Sequence, residues 1–265
     1  KGEKMNGFKR IDDNGFVYYI AQNIENTGFL KHMFTTRLGG VSSGETASLN
    51  LGINKNDKKE NVVKNFEIVT RKLGAVPDDL IALKQIHTDT VHIVLPNDES
   101  KIYNTEDRIR ADALASNIKG SCFCVFYADC VPIILADKKT KSAAAVHSGW
   151  RSSAMHIVKK AVLAMKENFG ANSLDIEAAI GPSIQKCCFE TDFDAAEQFD
   201  EKYYKKKNGK YFIDLQRLIK DDLNDAGVFK ISDCGICTCC NNEEFFSNRA
   251  HKGKIGLMSA FVKIN

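Results

Sequence analysis

The sequence DCVPIILADKKTKSAAAVHSGWR occupies residues 129–151 and contains two apolar runs with reactive side chains at their ends. The runs 131–135 and 143–146 each have the length of a buried strand, and the polar tract between them is typical of a hairpin connection. Cys130 precedes the first run, and His147 follows the second. Because antiparallel pairing places the start of one strand beside the end of the other, we expect Cys130 and His147 to be neighbours.

The rest of the chain predicts strands and helices that do not alternate strictly. Apolar runs predict further strands at 16–20, 29–36, 81–85, 90–95, 122–127, 174–180, 229–232 and 257–264. Apolar stripes at helical spacing, with stops such as Gly74 and Gly170, predict helices at 57–73, 152–169, 192–199 and 214–226. No repeat or linker divides the chain, so we predict one layered α/β domain over residues 1–265 with a mixed sheet.

Composition and charge exclude several classes of partner. The net charge of +3 is too small to indicate nucleic-acid binding, and we interpret Lys205–Lys207 as part of a solvated loop. No apolar run approaches the roughly 18 to 20 residues that span a bilayer, and residues 1–9 contain no apolar signal core. Nine cysteines without a secretory signal indicate reduced thiols. We therefore expect a cytoplasmic protein without nucleic-acid or membrane partners.

His87, Cys130 and His147 each lie at the end of a predicted strand, where open α/β sheets commonly place their active sites. Imidazole and thiolate are ligands that Zn²⁺ favours, and three protein ligands with one open position are typical of catalytic zinc. The same trio also suits copper, or a metal-free thiolate–imidazolium pair in a hydrolase. Independent burial of the three polar side chains is the remaining alternative.

Two charged residues flank this trio. Asp129 is a candidate to orient a ligand imidazole or to take part in proton transfer. Arg151 begins a predicted helix, where its guanidinium could bind an anion, although a cap or a salt bridge would explain either residue equally well. Arg37 precedes a glycine-rich loop that could hold an anion, but the loop lacks the spacing of a known phosphate-binding motif.

The C-terminal third contains a cysteine cluster, Cys234-x-x-Cys237-x-Cys239-Cys240, and an earlier pair, Cys187-Cys188. A zinc ribbon or iron–sulfur site would need a second pair at ribbon spacing, which is absent, so buried free thiols are the preferred interpretation. Phe245-Phe246 then precedes Ser247-Asn248-Arg249, which could deliver Arg249 to a pocket or leave it on the surface.

Several motifs, in order along nearly the whole chain, resemble those of the YfiH-type family. This family is also called the polyphenol oxidase or laccase-domain family, and its members are now regarded as purine nucleoside phosphorylases. The matching segments are Thr36-Arg37…Gly39-Gly40-Val41-Ser42, Ser48-Leu49-Asn50-Leu51-Gly52, Lys84-Gln85-Ile86-His87, Ala128-Asp129-Cys130-Val131-Pro132, Val146-His147-Ser148-Gly149-Trp150-Arg151, Ile180-Gly181-Pro182 with Cys187-Cys188-Phe189-Glu190, and Cys237-Thr238…Phe245-Phe246-Ser247.

The resemblance implies a single α/β/α layered domain with a zinc site formed by His87, Cys130 and His147. It also implies phosphorolysis of adenosine, inosine, guanosine and 5′-methylthioadenosine by inorganic phosphate, with adenosine deaminase activity in the same site. In such an enzyme Cys130 and Asp129 are the catalytic candidates. The candidates for substrate binding are Arg37, Asn50, Lys84, Arg151 and Arg249.

The chain departs from the family pattern mainly in its C-terminal segment. Ser148 stands where the family usually has Ala. Asn248, Ala250, His251 and Leu257 stand where an aromatic residue, an Arg, an Asp and another Arg are more typical. The alternatives are a copper-dependent polyphenol oxidoreductase, a metal-free Cys–His hydrolase and a non-catalytic binding protein. Six histidines are fewer than the about ten that blue and trinuclear copper centres require together.

Overall fold

The computed structural model describes residues 7–53 and 55–265. The strands are β1 (Phe8–Asp13), β2 (Phe16–Ala21), β3 (Leu30–Thr35), β4 (Leu80–Ala82), β5 (Val91–Ile93), β6 (Ala113–Ser116), β7 (Cys122–Tyr127), β8 (Val131–Asp137), β9 (Ser142–Ser148), β10 (Ile176–Ile180), β11 (Glu190–Thr191), β12 (Tyr204–Lys207), β13 (Lys210–Ile213), β14 (Lys230–Asp233) and β15 (Met258–Ile264). The helices are α1 (Gln22–Glu25), α2 (Lys59–Leu73), α3 (Trp150–Ala154), α4 (Ile157–Phe169), α5 (Phe193–Ala196), α6 (Leu215–Asp225) and α7 (Asn248–His251). Short 3₁₀ turns lie at Gly44–Thr46, Pro77–Asp79, Ser173–Asp175 and Glu201–Tyr203.

The described strands form two six-stranded sheets and one small sheet. The first large sheet has the order β1-β2-β3-β15-β7-β4, and the second has the order β14-β10-β8-β9-β6-β5. Both are mixed, because β4 runs parallel to β7 in the first sheet, while β5–β6 and β10–β14 are parallel pairs in the second. The small sheet has the order β11-β13-β12.

Three apolar clusters define the layers. One cluster lies between the two large sheets and joins side chains such as Val125 and Val262 of the first to Ile134 of the second. A second cluster packs α4 and α6 on the outer face of the second sheet, and a third packs α2 on the outer face of the first. Because strands in the centre of both sheets are covered on both faces, they are continuously apolar rather than alternating.

The mixed α/β fold class is confirmed, but the middle of the molecule contains two stacked sheets where we predicted one. The hairpin of β8 and β9 is confirmed as an antiparallel pair, although both strands extend beyond the predicted runs. Side chains alternate along β8: Val131, Ile133 and Leu135 face the helices, while Ile134 and Ala136 face the other sheet. Covering both faces with apolar partners explains why the hairpin sequence carries no periodic polar signal.

Some element boundaries differ from the prediction for identifiable reasons. The predicted helix 152–169 is two helices, because His156 has a φ of 58° and interrupts the helix between α3 and α4. Lys205–Lys207 is part of an exposed edge strand, β12, and not of a loop. Strands β1 and β6 were not predicted, since one is mostly polar and the other is short. In the described part of the chain, no helix combines the length and the apolar character needed to cross a membrane.

Candidate metal centre and cavity

The candidate metal centre begins at the open end of the β8–β9 hairpin. Pro132 pairs with His147 and Val131 with Ser148, so Cys130, one residue before β8, lies beside the end of β9. The predicted proximity of Cys130 and His147 is therefore confirmed. Donor atoms of His87, Cys130 and His147 all lie within 4.8 Å of one another.

His87 reaches the same place from the loop that follows β4. Its φ is 59°, a left-handed conformation that is uncommon for a residue other than glycine. The carboxylate of Asp112 holds this turn, because it accepts main-chain N–H groups from Ile86, His87 and Thr88 at 3.2, 3.0 and 2.7 Å. The backbone strain at His87 is thus balanced by hydrogen bonds to one buried carboxylate.

Asp112 also orients His147. Its Oδ1 lies 2.8 Å from His147 Nδ1, so the other ring nitrogen of His147 is directed toward the Cys130 sulfur. We expected Asp129 to be the candidate for orienting an imidazole, but the structure gives this place to Asp112. Such a carboxylate–histidine pair fixes the tautomer of a metal-binding imidazole.

The charges of the site shift the pKa values of its members. Burial lowers the pKa of His147, but the adjacent Cys130 and the hydrogen bond that His147 donates to Asp112 outweigh burial and raise it to about 9. Partial desolvation and the neighbouring His147 lower the pKa of His87. Burial raises the pKa of Asp112, but its hydrogen bonds to His147 and the main chain dominate and lower it. The trio and Asp112 therefore form one coupled electrostatic unit.

Gly149 allows the trio to come together. A Cβ atom built at this position would lie 2.5 Å from His87 Nδ1 and 3.2 Å from Cys130 Sγ. Only a residue without a side chain fits against the donor atoms at these distances. Two imidazoles and one thiol at this spacing, with a fixed tautomer on one imidazole, can hold a metal ion.

The trio opens into a cavity of about 610 Å³, within the usual range for a small-molecule site. Aromatic side chains on its walls include Phe126, Trp150 and Phe189, which offer flat apolar surfaces. Basic residues at the cavity are Lys55, Lys84, Arg108 and Arg249. This combination suits a ligand that has both an aromatic ring and a negative charge.

Three of the predicted site residues outside the metal trio line this cavity. Lys84 pairs with Glu106 at the cavity edge. Arg249 donates to the carbonyl oxygens of Cys188 at 2.6 Å and Glu190 at 2.8 Å. Asp129 is buried, and its two oxygens accept hydrogen bonds from Thr238 Oγ1 at 2.6 Å and from the Arg249 main-chain N–H at 2.8 Å.

Three other predicted residues lie outside the set that lines the cavity. Arg37 donates to the carbonyl oxygens of Ala47 and Asn242 at 2.8 and 3.0 Å and covers the Phe246 ring. Asn50 is fully buried and accepts the N–H groups of Gly52 and Leu257. The Arg151 guanidinium is exposed and stacks on the Trp150 ring, with 4.0 Å from its central carbon to the ring centre. The first two residues shape loops, and Arg151 backs one aromatic wall.

Sequence patterns did not single out Asp112 or Arg108. Asp112 is one acidic residue before the short apolar run of β6, and no spacing links it to His87 or His147. Arg108 lies in a polar loop, yet it is buried, donates to the main-chain carbonyl of Lys101 at 3.2 Å and stacks on Phe126. A sequence pattern does not show that a charged residue in a loop is buried, because its burial depends on how distant segments pack around it.

Sequence comparison identifies the family of this chain. A family model described as multi-copper polyphenol oxidoreductase laccase matches residues 31–265. The chain belongs to this family. It is 30% identical to a purine nucleoside phosphorylase of Bacteroides thetaiotaomicron, over 92% of this chain and 95% of that protein. It is 31% identical to purine nucleoside phosphorylase YlmD of Bacillus subtilis, over 91% of each chain.

A solved structure of the YfiH family has the same fold. The crystal structure of the Bacillus licheniformis hypothetical protein YfiH superposes with a TM-score of 0.90 at 27% identity, covering 98% of this chain and 100% of that one. The resemblance to the YfiH, or laccase-domain, family is therefore confirmed. Curated relatives in this family are named purine nucleoside phosphorylases.

Proposed function

We propose that this protein is a purine nucleoside phosphorylase that acts on adenosine, inosine, guanosine and 5′-methylthioadenosine. The observation that carries the proposal is that His87, Cys130 and His147 line a cavity that combines aromatic walls with basic side chains. The names of the curated relatives support the same reaction class. The expected partners are these nucleosides and inorganic phosphate, and the oligomeric state is left open.

In phosphorolysis, an oxygen of inorganic phosphate forms a bond to ribose C1′ while the bond from C1′ to the purine nitrogen breaks. The protein must hold a dianion near C1′ and stabilise negative charge on the departing base. Lys84 and Arg249 are our candidates for phosphate, because both are cationic and line the cavity. Trp150 and Phe189 are placed to stack on the purine ring.

We propose zinc as the metal at His87, Cys130 and His147, since a mixed nitrogen and sulfur donor set suits this borderline-soft ion, with copper as the alternative. Zinc bound there would supply Lewis acidity to a water molecule or to a substrate atom. The protein's own contribution is to hold the three donors in place through Asp112 and Gly149 and to keep Cys130 at the cavity surface.

Deamination of adenosine in the same cavity is the second activity that we propose. Water oxygen would bond to purine C6, and the amino group would leave as ammonia after gaining a proton. Cys130 and Asp129 are the catalytic candidates, because both line the cavity beside the metal centre. Both oxygens of Asp129 already accept hydrogen bonds, one from Thr238 and one from Arg249. These contacts best support a role for Asp129 in positioning these two residues.

Three of the predicted substrate-binding residues do not line the cavity, so we assign them indirect roles. We propose that Arg37 and Asn50 act on substrate binding indirectly, through the loops that they hold, and that Arg151 acts through Trp150. One domain over residues 1–265 and a cytoplasmic location also stay predictions. The apolar cluster shared by both large sheets supports the single domain for the described residues, and residues 1–6 and 54 lie outside them.

The test is product analysis with and without phosphate. Purified protein is incubated with each of the four nucleosides, and the free base, ribose 1-phosphate and deaminated nucleoside are quantified by chromatography. We expect base release to require phosphate and to fall at least about 100-fold in Cys130→Ala, because this change removes one of three metal ligands. Cys122→Ala, a buried cysteine on the outer face of the first sheet, is the matched control and should keep wild-type turnover.

Wild-type turnover in Cys130→Ala would contradict a metal-centred mechanism. Metal analysis of protein purified without added metals separates zinc from copper and from a metal-free Cys–His hydrolase. Oxygen consumption with a phenol, together with copper at the trio, would instead support the polyphenol oxidoreductase alternative. Absence of turnover with every nucleoside and phenol would favour a binding protein.

A further inference from the structure

A second group of potential metal ligands lies outside the His87–Cys130–His147 centre. The sulfur atoms of Cys187, Cys188, Cys237 and Cys240 all lie within 4.8 Å of one another. Cys240 Sγ is 3.7 Å from Cys187 Sγ and 3.4 Å from Cys188 Sγ. The two pairs come from segments about 50 residues apart, so only the tertiary fold brings them together.

These spacings match a single tetrahedral ion. A zinc–sulfur bond of about 2.3 Å implies sulfur–sulfur edges of about 3.8 Å in a regular tetrahedron. The separations of Cys240 Sγ from Cys187 Sγ and Cys188 Sγ lie close to that edge length. An iron–sulfur cluster would need more space between its ligands than these four sulfur atoms leave. All nine cysteines lie in the described part of the chain, and all are free.

The backbone around Cys237 has the form of a metal-binding turn. Cys237 and Cys240 are the ends of a Cys-x-x-Cys pair on one turn, in which the Asn241 N–H donates to the Cys237 carbonyl oxygen at 3.0 Å. Such a pair supplies two thiols from one turn, and the thiolate is the form that binds metal. Cys237 is buried and Cys188 half-buried, while Cys187 and Cys240 are exposed, so an ion could enter from the solvent side.

We propose that Cys187, Cys188, Cys237 and Cys240 bind a second, structural Zn²⁺ ion. Four thiolates form a closed tetrahedral shell with no open position, which is typical of structural rather than catalytic zinc. The sequence alone favoured buried free thiols, because the Cys187-Cys188 pair lacks the spacing of a ribbon. The structure supplies the missing pair by packing one turn against the other.

The proposed ion would join two segments that build one wall of the cavity. Ile184 and Phe189 line the cavity from the first segment. On the second segment, Thr238 holds Asp129, and the downstream Arg249 returns to donate to the Cys188 carbonyl oxygen at 2.6 Å. Zinc at the four thiols would therefore fix the position of Arg249 relative to the His87–Cys130–His147 centre. The proposal does not depend on which reaction the cavity catalyses.

Zinc content is the direct test. The full chain is expressed with zinc as the only added transition metal, and zinc per chain is measured by mass spectrometry. We expect two ions in the wild type, one in the double variant Cys188→Ser/Cys240→Ser, one in the double variant His87→Ala/Cys130→Ala, and none when all four changes are combined. Cys239→Ser changes a neighbouring thiol outside the group of four and should keep two ions. An unchanged zinc content in Cys188→Ser/Cys240→Ser would overturn the proposal.

Alkylation of the wild type provides a test that does not depend on the folding of a variant. In the zinc-loaded protein, we expect Cys187 and Cys240 to resist iodoacetamide despite their exposure and to react at least about tenfold faster after a chelator removes the metal. Peptide mapping by mass spectrometry identifies the labelled cysteines. Equal labelling before and after chelation, or a disulfide joining Cys240 to Cys187 or Cys188 in the protein as purified, would overturn the zinc site.

Discussion

At the residue scale, Asp112 connects the parts of the candidate metal centre that come from different segments. One carboxylate binds three consecutive N–H groups of the His87 turn and the ring of His147. Asp112 is completely buried, so each of these partners offsets part of the cost of burying its charge. The left-handed conformation of His87 and the tautomer of His147 therefore depend on the same side chain.

Gly149 provides the sharpest prediction at this scale. In Gly149→Ala, the new Cβ would meet His87 Nδ1 at 2.5 Å, so His87 or Cys130 must move away from the centre. We expect metal affinity to fall by about 10- to 100-fold, the size of effect seen when the support of metal ligands is disturbed. Competition with a chromogenic zinc chelator measures the affinity.

Ser148→Ala is the control for Gly149→Ala, because it changes the preceding residue to the one typical of the family and leaves the donor atoms untouched. Ser148 bonds to the Ser153 hydroxyl at 2.7 Å, on the side away from the trio. Metal affinity should stay at the wild-type value in this variant. A Gly149→Ala protein with wild-type affinity would show that the close approach at Gly149 is unimportant.

At the element scale, α2 supports the loop that carries Arg37 and Asn50. Asn65 on this helix donates to Ser42 Oγ at 2.9 Å and to the Asn50 carbonyl oxygen at 2.8 Å, and it accepts the Val41 N–H at 2.9 Å. Asn65 is fully buried, and a polar residue on the inner face of a helix needs such partners. The helix therefore packs through apolar contacts and through the hydrogen bonds of one buried polar residue, Asn65.

We predict that Asn65→Ala lowers the free energy of unfolding by about 2–4 kcal/mol, because it leaves several buried loop groups without partners. Asn61→Ala is the matched control on the same helix: its side chain is partly exposed and donates to Asp57 at 3.1 Å, so the cost should stay below about 1 kcal/mol. Urea denaturation measures both values. Equal losses in the two variants would contradict the role of Asn65.

At the scale of the whole molecule, the β8–β9 hairpin is central in the second sheet, and the first sheet covers its other face. The first sheet contributes its own buried polar group, His32 on β3, whose Nε2 accepts the Ala21 N–H at 2.8 Å. Burial lowers the pKa of His32 to about 3. In the folded protein, His32 therefore stays neutral down to about pH 3. The unfolded chain already begins to bind a proton at this residue near pH 6.5.

The sign of the resulting pH dependence follows from proton binding. Between about pH 6.5 and pH 3, the unfolded chain binds a proton at His32 and the folded chain does not, so acid favours unfolding. We predict that lowering the pH from 7.5 to 5.5 costs the wild type about 1.4 kcal/mol more than His32→Gln, whose amide oxygen can still accept the Ala21 N–H. Urea denaturation at the two pH values measures the difference, and identical losses would refute the assignment.

Features that depend on neighbours along the chain could be predicted from the order of residues alone. Two apolar runs with a polar tract between them are sufficient to form a hairpin, and hairpin pairing alone brings Cys130 beside His147. An apolar stripe that ends at Gly74 is sufficient to define α2, because glycine adopts the left-handed conformation at its end. These features follow from local geometry and needed no knowledge of the other layers.

The tertiary structure decided everything that depends on how distant segments pack. Pairing of β6 with β9 places Asp112 beside His147, and stacking of the two sheets, which no periodicity encodes, brings the His87 turn after β4 to the same carboxylate. The same packing turns Arg37 and Asn50 toward main-chain partners and gathers two cysteine pairs into one group. Side-chain identity limits what each residue can bind, but the partners it meets are set by long-range packing of the two sheets and their loops.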